Sequence, residues 1–337
     1  MATPNNIPEG IKLAGATLYR IPVDGMSHAF VDTIRNGPAG DEYPPEDIGG
    51  ETGAAGDDPG SALQRRFEML AQTNPGALAV RGPWSQLTYG ELDAQADGLA
   101  MMLQQHGAGP GRVCALNLAP SIALVRVVLA VLKSGAASLL LDPGQSPERR
   151  HATLRERGAT LLLTGQPRDL ELGVRGSVLF CPEDDAALPY GWPLEHPTRR
   201  LSPAYVEAGA PRPRSHGAVL DGLLAAQRLC ALRQGDAVLM HVAAPPYAVP
   251  WDVLWPLSCG ARLVIPTQRE SSDGYGLGQL LRRERVAVMP VTPSLCALLE
   301  RDPPHPGLDS MRALLLRRAA PADPAGPLHR TRKGNAQ

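Results

Sequence analysis

Apolar residues recur at helical spacing between Ala62 and Gln72, where Leu63, Phe67 and Leu70 share a face. A short apolar run, Ala77 to Arg81, then predicts a strand. Thr88 is followed three residues on by Glu91, the pairing that satisfies the free amides of a helix start. The helix it opens places Leu92, Ala96, Leu99, Ala100 and Leu103 on one side, and Gly107 stops it. From Val113 the pattern becomes an alternation: a predicted strand to Leu118, a helix from Ile122 to Lys133 that is apolar on most sides, a strand at Ala136 to Leu141, a helix at Pro147 to Arg157 and a strand at Thr160 to Leu163. After an irregular stretch from Thr164 to Pro203 it resumes. Helices are predicted at 217–232, 251–258, 277–284 and 292–301, and strands at 237–241, 261–265, 286–289 and 312–316. Nearly all-apolar strands that alternate with helices describe α/β architecture, a parallel-rich sheet covered on both faces.

The ends of the chain depart from this pattern. Residues 1–36 hold one strand candidate, Ala16 to Val23, and Gly37 to Gly60 carries seven acidic residues and no basic one, interleaved with Gly and Pro. Such a segment repels itself and has too little apolar surface to offset the entropy of ordering. Residues 1–60 are therefore expected to be a poorly ordered segment with an acidic linker, 61–316 the folded core, and the Arg-, Ala- and Pro-rich 317–337 a frayed tail.

An apolar fraction of 43% over 337 residues suffices for a real core, and a net charge of −1 gives no electrostatic reason to bind nucleic acid or an anionic membrane. The five cysteines are scattered and never form a CxxC, which argues for buried thiols rather than a disulfide framework or a thiolate zinc site. His216 and His241 have no companions at metal-ligand spacing, and no GxSxG nucleophile motif occurs. The longest apolar run, Ile122 to Leu132, is interrupted by Arg126 and is too short to span a bilayer. No basic leader precedes an apolar stretch, so a cytoplasmic protein is expected. Only Lys12, Lys133 and Lys333 represent lysine.

Several strings carry chemistry-relevant meaning by resemblance. LTYGEL at Leu87 to Leu92 and LKSGAASLLLDPGQSPERR at Leu132 to Arg150 resemble two core motifs of nonribosomal peptide synthetase adenylation domains, in the right order. Ser215 to Leu220, Trp251 to Pro266 and Leu280 to Glu300 resemble further segments of the same family, so the likeness runs from about Ser61 to Leu316. The resemblance implies a partial N-terminal core of an adenylate-forming enzyme without its mobile C-terminal domain. Its implied reaction is ATP- and magnesium-dependent adenylation of an amino or other carboxylic acid. Most of the matched residues also have a plain structural reading, as a capped helix and a Gly-stopped helix entering a strand.

Three departures from the family pattern weigh against that activity. Between Ala204-Tyr205-Val206 and Ser215-His216 stand eight residues, Glu207 to Arg214, EAGAPRPR, where the family carries about fifteen, rich in Gly, Ser and Thr and ending near a lysine, to cradle phosphate with backbone amides. Pro211 and Pro213 remove two amide donors, and Arg212 and Arg214 supply charge without rebuilding the cradle. Tyr247 stands where the family places the Asp that pairs with a substrate's α-amino group, and a buried ammonium needs a carboxylate. Past Leu316 the chain reads Arg317-Arg318-Ala319-Ala320 where the resemblance calls for GGEAL and the rest of the nucleotide site. The implied pocket-lining positions are Tyr247, Ala248, Trp251 and Ser294; no catalytic, cofactor or metal residue is assigned, and no cofactor is expected for this chain. The leading expectation is a degenerate, truncated adenylation-domain-like protein of nonribosomal peptide biosynthesis, partnered by other peptide-synthetase proteins. The alternatives are half of a split ligase completed by another chain that covers an open edge near Leu316, and a small-acid binding module.

Overall fold

The computed structural model describes residues 11–13, 16–21, 63–142, 144–166, 174, 176–181, 198–206, 212–240, 249–291, 295 and 311–318. Two mixed sheets and the helices around them account for most of these residues. Sheet one contains β1 (Ile11–Leu13), β2 (Ala16–Ile21), β3 (Leu78–Arg81), β4 (Gln86–Thr88), β11 (Ala237–Leu239), β12 (Arg262–Val264), β13 (Val286–Val291) and β14 (Ala313–Arg318), in the spatial order β1-β2-β14-β13-β11-β12-β3-β4. Sheet two contains β5 (Val113–Asn117), β6 (Ala137–Leu140), β7 (Leu161–Thr164), β8 (Ser177–Phe180), β9 (Pro203–Val206) and β10 (Arg214–Ser215), in the order β10-β9-β6-β5-β7-β8.

The interior of each sheet is parallel, as the alternation predicts: β14, β13, β11, β12 and β3 run together, and so do β9, β6, β5, β7 and β8. The edges are antiparallel, and of their strands only β2 was in the sequence pattern, as the candidate Ala16 to Val23. β4 folds back on β3, β10 on β9, and β2 on β14 with β1 beyond it. Residues 11–21, inside the segment expected to be poorly ordered, thus belong to sheet one, and β14 runs two residues past the expected boundary at Leu316. The edge of β14 that the split-ligase reading leaves open is taken by β2.

The helices are α1 (Leu63–Thr73), α2 (Tyr89–Gln105), α3 (Ile122–Lys133), α4 (Pro147–Glu156), α5 (His216–Cys230), α6 (Val249–Ser258), α7 (Gln268–Ser272) and α8 (Gly274–Glu284). α2 begins as the sequence requires: the Thr88 hydroxyl accepts from the Glu91 amide at 3.3 Å while the Glu91 carboxylate accepts from the Thr88 amide at 2.8 Å. Its predicted apolar face, Leu92, Ala96, Leu99, Ala100 and Leu103, is entirely buried. α3 is buried along its whole length and packs on α2, which is why it is apolar on most sides. Residues of α1, α2, α3, α5, α6 and both sheets share one apolar core.

Several polar groups inside this core are paired. The Lys133 ammonium, at the last position of α3, lies 2.7 Å from carboxylate oxygens of both Asp93 and Asp97, one turn apart on α2, and 3.4 Å from Glu68 on α1. Tyr89, 1% exposed, donates its hydroxyl to the carbonyls of Ala261 at 2.7 Å and Leu257 at 3.1 Å, tying α2 to the end of α6. Tyr89→Phe removes the donor and leaves these carbonyls short of a partner, so a loss of about 1–2 kcal/mol is expected in urea unfolding. Burial pushes the Tyr89 phenol up, beyond the range in which it ionises in water.

Gln227 on α5 plays a similar part beside α6. Its carboxamide oxygen accepts from the Trp255 indole, the Cys259 thiol and the Leu232 amide, each at 3.2 Å, and its amide donates to the Leu232 carbonyl at 2.8 Å. No helix among the described residues is long and apolar enough to cross a membrane.

Candidate functional site

In open parallel sheets, ligands sit where the loops leave the carboxyl ends of the strands. β11 and β13 are parallel neighbours, ending at Leu239 and Val291. Tyr247 and Ala248 come after the first of these ends in the chain and Ser294 after the second, and all three lie outside the described residues. Trp251 lies in the first turn of α6, and the residue after it, Asp252, is buried. β11 and β13, being parallel, thus end on the same side of sheet one.

The second half of the site would be the loop between β9 and β10. These strands form an antiparallel hairpin, Arg214 opposite Tyr205 and Ser215 opposite Pro203, whose connection is residues 207–213. Of that connection Arg212 and Pro213 are described, and both are exposed. The hairpin leads directly into α5, whose first amides are the natural anion-binding donors here. They are already used. The His216 amide donates to the Ser202 carbonyl at 2.9 Å, the Gly217 amide to the Arg200 carbonyl at 2.8 Å, and the Ala218 amide to the Ser215 hydroxyl at 3.2 Å. Gly217 is required for this arrangement, because a Cβ there would stand 2.4 Å from Cγ of Arg200. Arg200 is itself drawn to Asp221 on α5 at 2.5 Å.

His216, which the sequence offered as surface or core, is core: it has no exposed surface. Its Nδ1 accepts from the Leu63 amide at the start of α1 at 3.3 Å, which places the proton on Nε2, and Nε2 finds no acceptor among the described residues. Burial holds its pKa down, to about 4. A neutral imidazole that props one helix start against another is a structural group. Lys133 is structural too. Burial alone would lower its pKa, but Asp93, Glu68 and Asp97 outweigh that and hold it raised. Burial raises Asp93 and Asp97 against the opposing pull of Lys133. Sequence reasoning passed over this cluster, although Asp93 and Asp97 at helical spacing beside a rare lysine were its signal.

The phosphates of ATP, which the family resemblance implies, find few free donors at the start of α5. The helix amides that would meet phosphate donate within the protein.

Residues 67–191 match the family described as AMP-binding enzyme. Tyrocidine synthase 3 of Brevibacillus parabrevis is 30% identical over 250 residues, which are 72% of this chain and 4% of that protein. Novobiocin biosynthesis protein H of Streptomyces niveus is 31% identical over 293 residues, 81% of this chain and 48% of that protein. Among solved structures, the nonribosomal peptide synthetase FmoA3 in its AMPPNP-bound form superposes with a TM-score of 0.64 at 27% identity, covering 75% of this chain and 28% of that one. The chain is similar to the adenylation domains of nonribosomal peptide synthetases, and it spans half or less of the length of these relatives.

Proposed function

We propose that this chain is ligase-shaped but does not by itself adenylate a carboxylic acid, and that it serves nonribosomal peptide biosynthesis alongside other synthetase proteins. The observation that carries this reading is the β9–β10 connection. Only residues 207–213 separate the two strands, two of them are prolines and none is a lysine. The occupied amides at the start of α5 support it, since they leave no ready donors for a phosphate to replace. Tyr247 in place of the amine-pairing Asp supports it from the side of the acid: an ammonium brought there meets no carboxylate at that position. Tyr247, Ala248, Trp251 and Ser294 remain the positions that would shape an apolar cleft.

The test is carboxylate-dependent exchange of labelled pyrophosphate into ATP, run with the full chain, magnesium and a panel of amino, aryl and acyl acids. The expected result is exchange at the level of the protein-free blank for every acid. Exchange that depends on any one acid, and is abolished when ATP is omitted, overturns the proposal.

A further inference from the structure

Three guanidiniums converge on one carboxylate where β3, β12 and α8 meet. Glu284, the last residue of α8, is 2% exposed, and its carboxylate takes Arg262 at 2.9 Å, Arg283 at 3.1 Å and Arg81, the last residue of β3, at 3.5 Å. Arg262, largely buried, also donates to the Glu284 carbonyl at 2.6 Å. Arg283 reaches a second carboxylate, Glu270, at 3.5 Å, but that one already accepts from the Thr267 amide and hydroxyl at 2.8 Å each. Both carboxylates are therefore engaged, while Arg282 and Arg285, exposed on either side of this stretch, add further positive charge. A guanidinium carries five N–H donors. The contacts above engage one nitrogen of Arg81 and two of Arg283, and both side chains are exposed.

Three residues past Arg81 the β3–β4 hairpin turns on Pro83-Trp84, closed by the Gly82 amide donating to the Ser85 carbonyl at 2.9 Å. Trp84 is 85% exposed, more than any other large apolar side chain among the described residues. β4 is the terminal strand of sheet one, so no further strand of the sheet shields this end. Single exposed apolar side chains are ordinary. A Trp held out on a tight turn next to arginines that a buried carboxylate orients is different, because Trp and Arg are the side chains that carry most binding energy at protein interfaces.

We propose that Trp84, Arg81 and Arg283 form a docking surface for an acidic segment of another protein, whose carboxylates meet the two arginines and whose apolar side chain covers the Trp84 indole. Charge complementarity selects this partner: the local excess is positive, and a guanidinium fork matches a carboxylate through two parallel hydrogen bonds. Glu284 holds the forks in advance, so less side-chain freedom is lost on binding. Nucleic acid fits less well, since affinity for it grows with the number of phosphates met along a basic stripe, and here the cations gather at one point. The inference concerns sheet one and α8 and stands whether or not the chain adenylates anything.

The test titrates the full chain into a fluorescein-labelled peptide of repeating Glu-Glu-Phe and follows anisotropy. The natural chain is expected to bind with a dissociation constant below about 100 μM, weakened by added salt. Trp84→Ser and Arg81→Gln are each expected to weaken binding about tenfold or more. Arg155→Gln, which removes an exposed arginine from α4, is expected to bind as the natural chain does. Trp84 lies outside the core, so its replacement leaves the fold intact, and circular dichroism checks this for each variant. The proposal is overturned if the natural chain does not bind the peptide, if folded Trp84→Ser and Arg81→Gln chains bind it as well as the natural chain, or if Arg155→Gln weakens binding as much as they do. A single-stranded oligonucleotide of the peptide's length that binds more tightly than the peptide overturns it as well.

Discussion

Replacing Lys133 by methionine is expected to cost about 3–5 kcal/mol of stability in urea or guanidinium unfolding, the range for breaking a buried charge cluster by removing one partner. The ammonium is 4% exposed and stands between Asp93 and Asp97 at 2.7 Å each, with Glu68 at 3.4 Å. Without it, Asp93 and Asp97 face one another in a place that water reaches poorly, while among the described residues only Glu68 keeps a cation, Arg65 at 3.2 Å. The expected response is twofold: a lower midpoint, and carboxylates that take up protons at higher pH than they do in the natural chain, since burial already raises Asp93 and Asp97. Lys133→Met should therefore recover part of its lost stability as the pH falls towards 5, and Asp97→Asn in the same chain should recover part of it at neutral pH. A loss under 1 kcal/mol at neutral pH would show that water solvates the cluster far better than its burial implies.

The second large effect is a pH dependence centred on His216. Its folded pKa lies near 4 because burial disfavours the charged imidazole, against about 6.5 for an exposed histidine. Between those values the unfolded chain binds a proton that the folded chain refuses, so folding stability rises with pH across the window. The contribution is complete above about pH 6.5 and is lost as the pH falls, by about 1.4 kcal/mol per unit and about 3 kcal/mol in total by pH 4. Protonation would also turn Nδ1 into a donor facing the Leu63 amide, which now donates to it at 3.3 Å. His216→Asn keeps an acceptor for that amide and does not titrate. The difference between the two chains' unfolding free energies, measured from pH 4 to 7.5, should carry this slope, and a flat difference would contradict the assignment.

Most of the fold was legible because local chemistry and the tertiary answer agree. The capping pair Thr88 and Glu91, the stop at Gly107 and the two-sided apolarity of Ile122 to Lys133 each report burial directly, and the elements stand within a few residues of where the periodicity puts them. Pairing was not legible. Nothing local in Ala16 to Ile21 says that its partner is β14, almost the whole chain away, and nothing in the alternation says that the strands divide between two sheets. The α7 capping box at Thr267 and Glu270 was missed for a different reason, since a helix of one turn has no periodicity to detect. Of the candidate site, sequence resemblance located the shortened connection and its flanks. It could not show that Ser202, Arg200 and Ser215 already take the amides at the start of α5, because that depends on a chain crossing.

The carboxamide of Gln227 gives this arrangement a mechanical character. α5 follows the β9–β10 hairpin, and α6 holds Trp251 in its first turn. One oxygen receives the Trp255 indole and the Cys259 thiol across the gap between them, while the other end of the same amide grips the main chain at Leu232. Sliding one helix past the other would strand several partly buried donors at once, each at a cost of about 1–3 kcal/mol. The two helices are therefore yoked, so that a shift of one would be carried to the other through a single side chain.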